Sequence, residues 1–242
     1  MNMTIRYGDD KSQIADLYIP TVEAIGTVCL FHGGFWKTPY DYSQFNEISQ
    51  VLSTLGYCVW NIEYRRSGEK GRKWSDTFKD AMAAVNHLKT LQNEFSSINF
   101  DNMIVVGHSA GGHLSAWLSS QELNISIKKF IGLAPILDLK LAYEENAGVD
   151  AVFKLMEGTP SDYPKRYRNS SPIELINKSK SQVIIHGKND DYVPIEWSRA
   201  YINHARNLGK EFEYVELEDC GHMDFIDSKS NAFNELLKWI RE

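Results

Sequence analysis

Ser109 stands between Gly107 and Gly111 in the stretch "NMIVVGHSAGGHLSAWLSS", residues 102–120, with an apolar run before it and a helical pattern after it. A serine hydroxyl becomes a useful nucleophile when a base removes its proton and a third group orients that base. The spacing G-x-S-x-G is the signature of a strand that bends sharply into a helix and holds the serine at the apex. Glycines two positions away on either side fit because a Cβ there would collide with the neighbouring backbone. The pattern alone arises by accident in roughly one chain of this length in twelve. Its weight comes from "MIVV" immediately before, and from Leu114, Trp117 and Leu118 recurring at helical spacing immediately after.

A base and an orienting acid should follow in the order serine, carboxylate, histidine. "VIIHGKNDDYVP" places Asp190 and Asp191 just beyond an apolar strand, and "YVELEDCGHMDF" places His222 beyond the last one. Among the seven histidines, His222 is the one that follows both nucleophile and carboxylate on a glycine-flanked loop. His108 and His113 are tied to the serine turn and its helix, in supporting positions. His32 and His186 end strands and suit hydrogen bonds to loop backbone, and His87 and His204 lie in helical patterns. Spacing leaves Asp190 and Asp191 both open. Asp219 and Asp224 are close to His222 in sequence but poorly placed to approach its ring.

Attack on a carbonyl creates an oxyanion that needs fixed N–H donors. One is the amide after the nucleophile, Ala110. The other should come from the loop after an early strand, where "VCLFHGGFW" offers Gly34 or Phe35. Trp36 and Phe35, with Tyr143 and Phe153, are candidates for an aromatic substrate pocket. Glu63, in "NIEYRR", suits a structural pairing with Arg65 or Arg66.

The elements needed to position these groups are legible as short apolar runs alternating with helical segments. Strands are expected at 14–19, 27–31, 57–62, 103–106, 130–134, 182–186 and 212–217. Several are apolar throughout, as parallel strands covered on both faces must be. Helices are expected over 42–56, 75–91, 198–209 and 231–240, two of them stopped by Gly56 and Gly209. This alternation predicts one α/β domain spanning 1–242, an open, doubly wound, mostly parallel sheet with helices on both faces. Ligands then bind beyond the carboxyl ends of the strands, where all three loops emerge. Residues 138–181 break the rhythm with two short helical patterns, and such a long excursion reads as a small cap-like insertion.

Composition narrows the function. The 242 residues carry 26 Lys and Arg against 32 Asp and Glu, a net charge of −6. That balance argues against nucleic-acid and anionic-membrane partners and leaves a small molecule as the expected one. The N-terminal stretch lacks the apolar core of a signal peptide, and no apolar run approaches a membrane span. Three widely spaced cysteines with no C-x-x-C pair argue against zinc or redox chemistry and suit a reducing cytoplasm.

Taken together, "HGGFW", "GHSAGGHL", "HGKNDDYVP" and "GHMDF" resemble the α/β-hydrolase superfamily, in its HGG-bearing esterase branch. Within that branch the chain resembles the kynurenine formamidase (arylformamidase) group, from "IADLYIP" to the last helix. The resemblance implies a serine hydrolase of small esters or activated amides with no metal or organic cofactor. It also implies Asp190 as the acid of a Ser109–Asp190–His222 triad. Two other functions share these residues: a prolyl-oligopeptidase-like peptidase acting on short peptides, and a hydrolase-fold protein that binds a ligand without turning it over.

Overall fold

Five or six apolar residues without alternation are stable as a strand only when both faces are covered. In the computed structural model, which describes residues 2–242, that is how the central strands lie. The strands are β1 (Asn2–Arg6), β2 (Ile14–Tyr18), β3 (Gly26–Phe31), β4 (Tyr57–Ile62), β5 (Met103–His108), β6 (Lys129–Leu133), β7 (Gln182–Gly187) and β8 (Glu213–Leu217). Every residue of β3, β4, β5 and β7 is buried. They form one sheet in the order β1-β2-β4-β3-β5-β6-β7-β8. The first two strands pair antiparallel, as do β2 and β4, and all other pairs are parallel.

Alternate residues of β3 divide the core. Cys29 and Phe31 face α2 (Asp76–Leu91) and α3 (Ala110–Leu118), meeting Phe78, Leu88 and Leu114. Val28 and Leu30 face α1 (Asn46–Thr54) and the C-terminal helix α8 (Asn231–Arg241), meeting Ile48, Leu52, Phe233 and Leu236. Between β7 and β8, α7 (Ile195–Asn207) packs Tyr201 and Ile202 on Ile184. Among the described residues no helix is long and apolar enough to cross a membrane.

The excursion after β6 holds α4 (Leu139–Glu144), α5 (Ala151–Met156), α6 (Pro164–Ser170) and a 3₁₀ segment, Pro172–Lys178. That is three α-helices where the sequence pattern suggested two. Leu139, Val152, Leu155, Met156 and Tyr167 join the core on the α2 and α3 side. The N-terminal strand β1, absent from the sequence expectation, alternates between exposed and half-buried residues on the sheet edge.

Strand order is what creates the site. The chain leaves β3 for β4 on one side and returns to lay β5 on the other, so the loops after β3 and β5 diverge above adjacent strands. Such a switch point opens a crevice at the carboxyl edge. The loops after β7 and β8 rise from the same edge.

Candidate active site

Ser109 occupies the bend between β5 and α3 with φ 55° and ψ −115°, a strained backbone for a residue with a Cβ. Its N–H donates to the Leu133 carbonyl at 2.8 Å, and its carbonyl accepts the His113 N–H at 3.0 Å, so the turn is fixed from both sides. The glycines on either side are required by contact. A Cβ on Gly107 would lie 2.0 Å from the Gly111 oxygen, and one on Gly111 would lie 1.9 Å from the Phe31 oxygen.

Of the adjacent aspartates, Asp190 reaches His222, and Asp191 is exposed. One Asp190 oxygen, Oδ1, accepts the backbone N–H groups of Tyr192 and Val193, both at 2.8 Å. The other, Oδ2, accepts Nδ1–H of His222 at 2.6 Å and faces Nε2–H of His186 at 3.2 Å. Burial alone would raise this carboxyl's pKa, but hydrogen bonds from His186, His222 and Val193, with the His222 charge, hold it well below the usual carboxylate range. Because Nδ1 of His222 donates to Asp190, Nε2 remains the acceptor.

His222 opens a 3₁₀ turn, His222–Ile226, capped when Gly221 N–H donates to Asp224 at 2.7 Å. Asp224 thus shapes the loop instead of touching the ring, and Asp219 is exposed. The His222 carbonyl accepts Nε2–H of His108 at 2.9 Å, and the two rings lie 4.5 Å apart. His186 is oriented by Ser198 and the Val193 carbonyl, and His113 donates to the Ser170 carbonyl at 2.8 Å.

Burial holds His108 and His113 neutral: desolvation pushes their pKa values down, to about 3 and about 4, with the His222 charge adding to the drop at His108. In the unfolded chain both would titrate near 6.5. A folded pKa below the unfolded one means that only the unfolded state takes up the proton in that window. Stability is therefore complete above about 6.5 and lost as pH falls. Chemical denaturation should show about 3–4 kcal/mol less stability at pH 5 than at pH 7 from these two groups. Equal stability at the two pH values would contradict a neutral, buried pair.

Ser109 and His222 share the wall of a cavity of about 130 Å³ with Gly34, Phe35, Tyr40 and Tyr192. Gln44 and Met223 complete its lining. Gly34, Phe35 and Trp36 carry φ values of 100°, 51° and 53°, three consecutive left-handed residues. Ser67 pins the loop by donating both N–H and Oγ–H to the Trp36 carbonyl, at 2.7 and 2.8 Å. The amides of Gly34 and Phe35 donate to no acceptor among the described residues. Ala110, fully buried, opens α3 beside Ser109. The Lys37 ammonium donates to the carbonyls of Gly148 and Val149 in the excursion, the latter at 2.8 Å.

Trp36 does not line the cavity, which corrects the expectation of a substrate contact. Successive left-handed residues turn its ring into the core, fully buried and edge-on to His113 at 5.0 Å. Phe35 takes its place. Tyr143 packs on Tyr167 and Phe153 is exposed, so neither joins the lining. Sequence reasoning missed Tyr40, Gln44, Tyr192 and Met223. Tyr192 and Met223 carried a signal in their adjacency to Asp190 and His222. Larger hollows of about 450–470 Å³ lie elsewhere and contain none of these groups.

Comparison with known proteins agrees with this architecture. The esterase LipC of Mycobacterium tuberculosis is 26% identical over 247 aligned residues, covering 92% of this chain and 60% of that protein. A probable carboxylic ester hydrolase of the same organism, LipM, is 25% identical, covering 88% of this chain and 53% of its own length. The chain thus spans less than two thirds of these relatives. A truncated carbohydrate esterase from gut microbiota superposes with a TM-score of 0.82 at 20% identity, covering 100% of this chain and 95% of that one. The family model BD-FAE matches residues 15–204. With its mostly parallel eight-stranded sheet, the chain belongs to the BD-FAE family of α/β-hydrolases.

Proposed function

We propose that this protein is a serine hydrolase that cleaves small carboxylic esters, and activated amides such as N-formyl arylamines, through an acyl-enzyme. The observation that carries the reading is the 2.6 Å bond from His222 Nδ1 to Asp190, on a histidine that shares a cavity with Ser109. Ser109 Oγ attacks the substrate carbonyl while His222 Nε2 takes its proton, and Asp190 holds the imidazole in the tautomer this requires. The amides of Ala110 and of Gly34 or Phe35 stabilise the oxyanion. Collapse of the tetrahedral species expels the alcohol or amine, which takes the proton from His222. Water then attacks the acyl-enzyme with His222 as base and releases the carboxylic acid.

A cavity of about 130 Å³ suits a formyl to butyryl group better than a long or aromatic acyl chain. In this reading the 138–181 excursion is a cap within a single domain, its Gly148 backbone set so close to the Phe35 ring that a Cβ would lie 2.4 Å away. Three buried, free cysteines suit a reducing compartment, and the cytoplasm is the proposed location.

A fluorophosphonate probe should label Ser109, identified by peptide mapping. On p-nitrophenyl esters, kcat/KM for acetate or butyrate should exceed that for decanoate by at least about 10-fold. Equal rates along the series would remove the cavity as the acyl site, and faster cleavage of aminoacyl anilides than of any ester would replace the esterase reading with a peptidase. An unlabelled, inactive protein would leave ligand binding without turnover.

A further inference from the structure

Beneath the loop that carries Gly34 lies a second imidazole–carboxylate pair. His32, just beyond β3, is fully buried, and its two ring nitrogens meet two acceptors. Nδ1 lies 2.7 Å from the Gly33 carbonyl oxygen and Nε2 lies 2.9 Å from Glu63 Oε1. A carbonyl oxygen only accepts, so Nδ1 carries a hydrogen. Glu63 is surrounded by donors: Oε1 also accepts the Tyr64 N–H at 2.8 Å, and Oε2 faces Arg66 at 3.1 Å and the Tyr42 N–H at 3.4 Å. Such a carboxyl is an ionised acceptor, so Nε2 of His32 donates as well. Both ring nitrogens of His32 thus face acceptors, and the Tyr64 ring stacks on the imidazole at 4.4 Å and 11°.

The sequence expectation for Glu63 holds with one of its two candidate partners. Arg66 is one partner, but Arg65 turns away to Asp76 and Asp80, and His32 takes the place beside the carboxylate. Both backbones are tied down: Tyr7 Oη–H donates to the Glu63 carbonyl at 2.5 Å, and Tyr64 Oη–H donates to the His32 carbonyl at 2.8 Å.

The Gly33 carbonyl and the Gly34 N–H belong to one peptide group. A charged donor on that oxygen draws electron density from the amide and strengthens its N–H as a donor. The Gly34 N–H donates to no acceptor among the described residues, and Gly34 borders the cavity beside Ser109. We propose that Glu63 and His32 polarise the Gly33–Gly34 peptide, so that oxyanion stabilisation depends on a charged pair two groups removed from the substrate. This rests on the serine-hydrolase reading above. Neither residue lines the cavity, so both are positioning residues.

Glu63→Gln is the informative substitution, because at nearly unchanged size its amide N–H can donate to a neutral Nε2 while the charge disappears. In the wild type, nitrogen-15 NMR at pH 7.5 should find both His32 ring nitrogens protonated, and the variant should lose one proton. With p-nitrophenyl acetate, kcat should fall about 10- to 100-fold while KM stays within about 3-fold. Affinity for a boronic acid that forms a tetrahedral adduct on Ser109 should fall in the same proportion, and Glu63→Asp should recover part of each loss. A purely structural role would lower the melting temperature and leave kcat in the folded fraction unchanged. A neutral His32 in the wild type, or an unchanged kcat in the variant, refutes the proposal. Should Glu63→Gln fail to fold, the wild-type imidazole measurement still decides. A wild-type chain that neither hydrolyses esters nor takes the fluorophosphonate refutes the hydrolase reading itself, whereas an active wild type with an unaffected variant refutes only the polarised peptide.

Discussion

Ser109→Ala should lower p-nitrophenyl acetate hydrolysis by at least about 10⁴-fold and abolish fluorophosphonate labelling, with the melting temperature nearly unchanged. The size of the loss follows from the proposed role, in which the hydroxyl oxygen forms the acyl bond and no neighbouring group substitutes for it. Whatever rate survives comes from the oxyanion donors and from binding, which accelerate attack by water directly. Folding survives because alanine meets the same left-handed φ of 55° as serine, and because the turn is held by backbone bonds to Leu133 and His113 that the substitution leaves intact. The measurement is a rate on protein shown by circular dichroism to be folded. A variant retaining more than a few per cent of wild-type turnover would remove Ser109 from the mechanism.

Gly111→Ala should be as damaging to stability as Ser109→Ala is to rate. The added Cβ would sit 1.9 Å from the Phe31 oxygen and 2.5 Å from the His32 oxygen, both backbone atoms at the end of a central strand. A flexible side chain swings aside cheaply, whereas a strand paired on both edges does not. Separating α3 from β3 would also loosen the Leu114 contacts to the core. The expected cost is at least about 4 kcal/mol, the range reserved for a few severe mechanisms, or roughly 10 °C in melting temperature for a chain of this size. Gly209→Ala is the matched control. Its φ of 72° imposes backbone strain, but nothing lies within 4 Å of the new methyl, so the loss should stay near about 1 kcal/mol. Thermal melts of the two variants should differ clearly, and a Gly111→Ala protein as stable as Gly209→Ala would show that helix and strand separate easily.

Most of what positions the site is legible in the residues. The buried strands β3 to β7 announce themselves because a strand covered on both faces has no polar side to interrupt its apolar run. The serine turn is legible because only glycine satisfies two backbone contacts at fixed spacing. His222 as the candidate base follows from chain order together with its glycine-flanked loop, since His204 shares the order but lies in a helical pattern. The choice between Asp190 and Asp191 does not, because it depends on which carboxylate folds back onto the Tyr192 and Val193 amides, a matter of local loop geometry. Trp36 was misleading for a related reason: side-chain direction after a strand is normally extrapolated from extended backbone, and three left-handed residues reverse it. Strand β1 escaped because its alternation is short and its outer face is exposed. Tyr40 and Gln44 enter the cavity through the packing of one loop against another, which no local pattern encodes.

The ammonium of Lys37, gripping two carbonyls more than a hundred residues downstream, matters for anyone who would exchange the excursion for that of a relative. A donor segment must bring its own pair of outward-facing oxygens to the place now held by Gly148 and Val149. Without them, a transplanted insert would strip the glycine loop of one of its anchors and leave Ser67 to hold it. Grafting here is constrained by what the insert returns to its host.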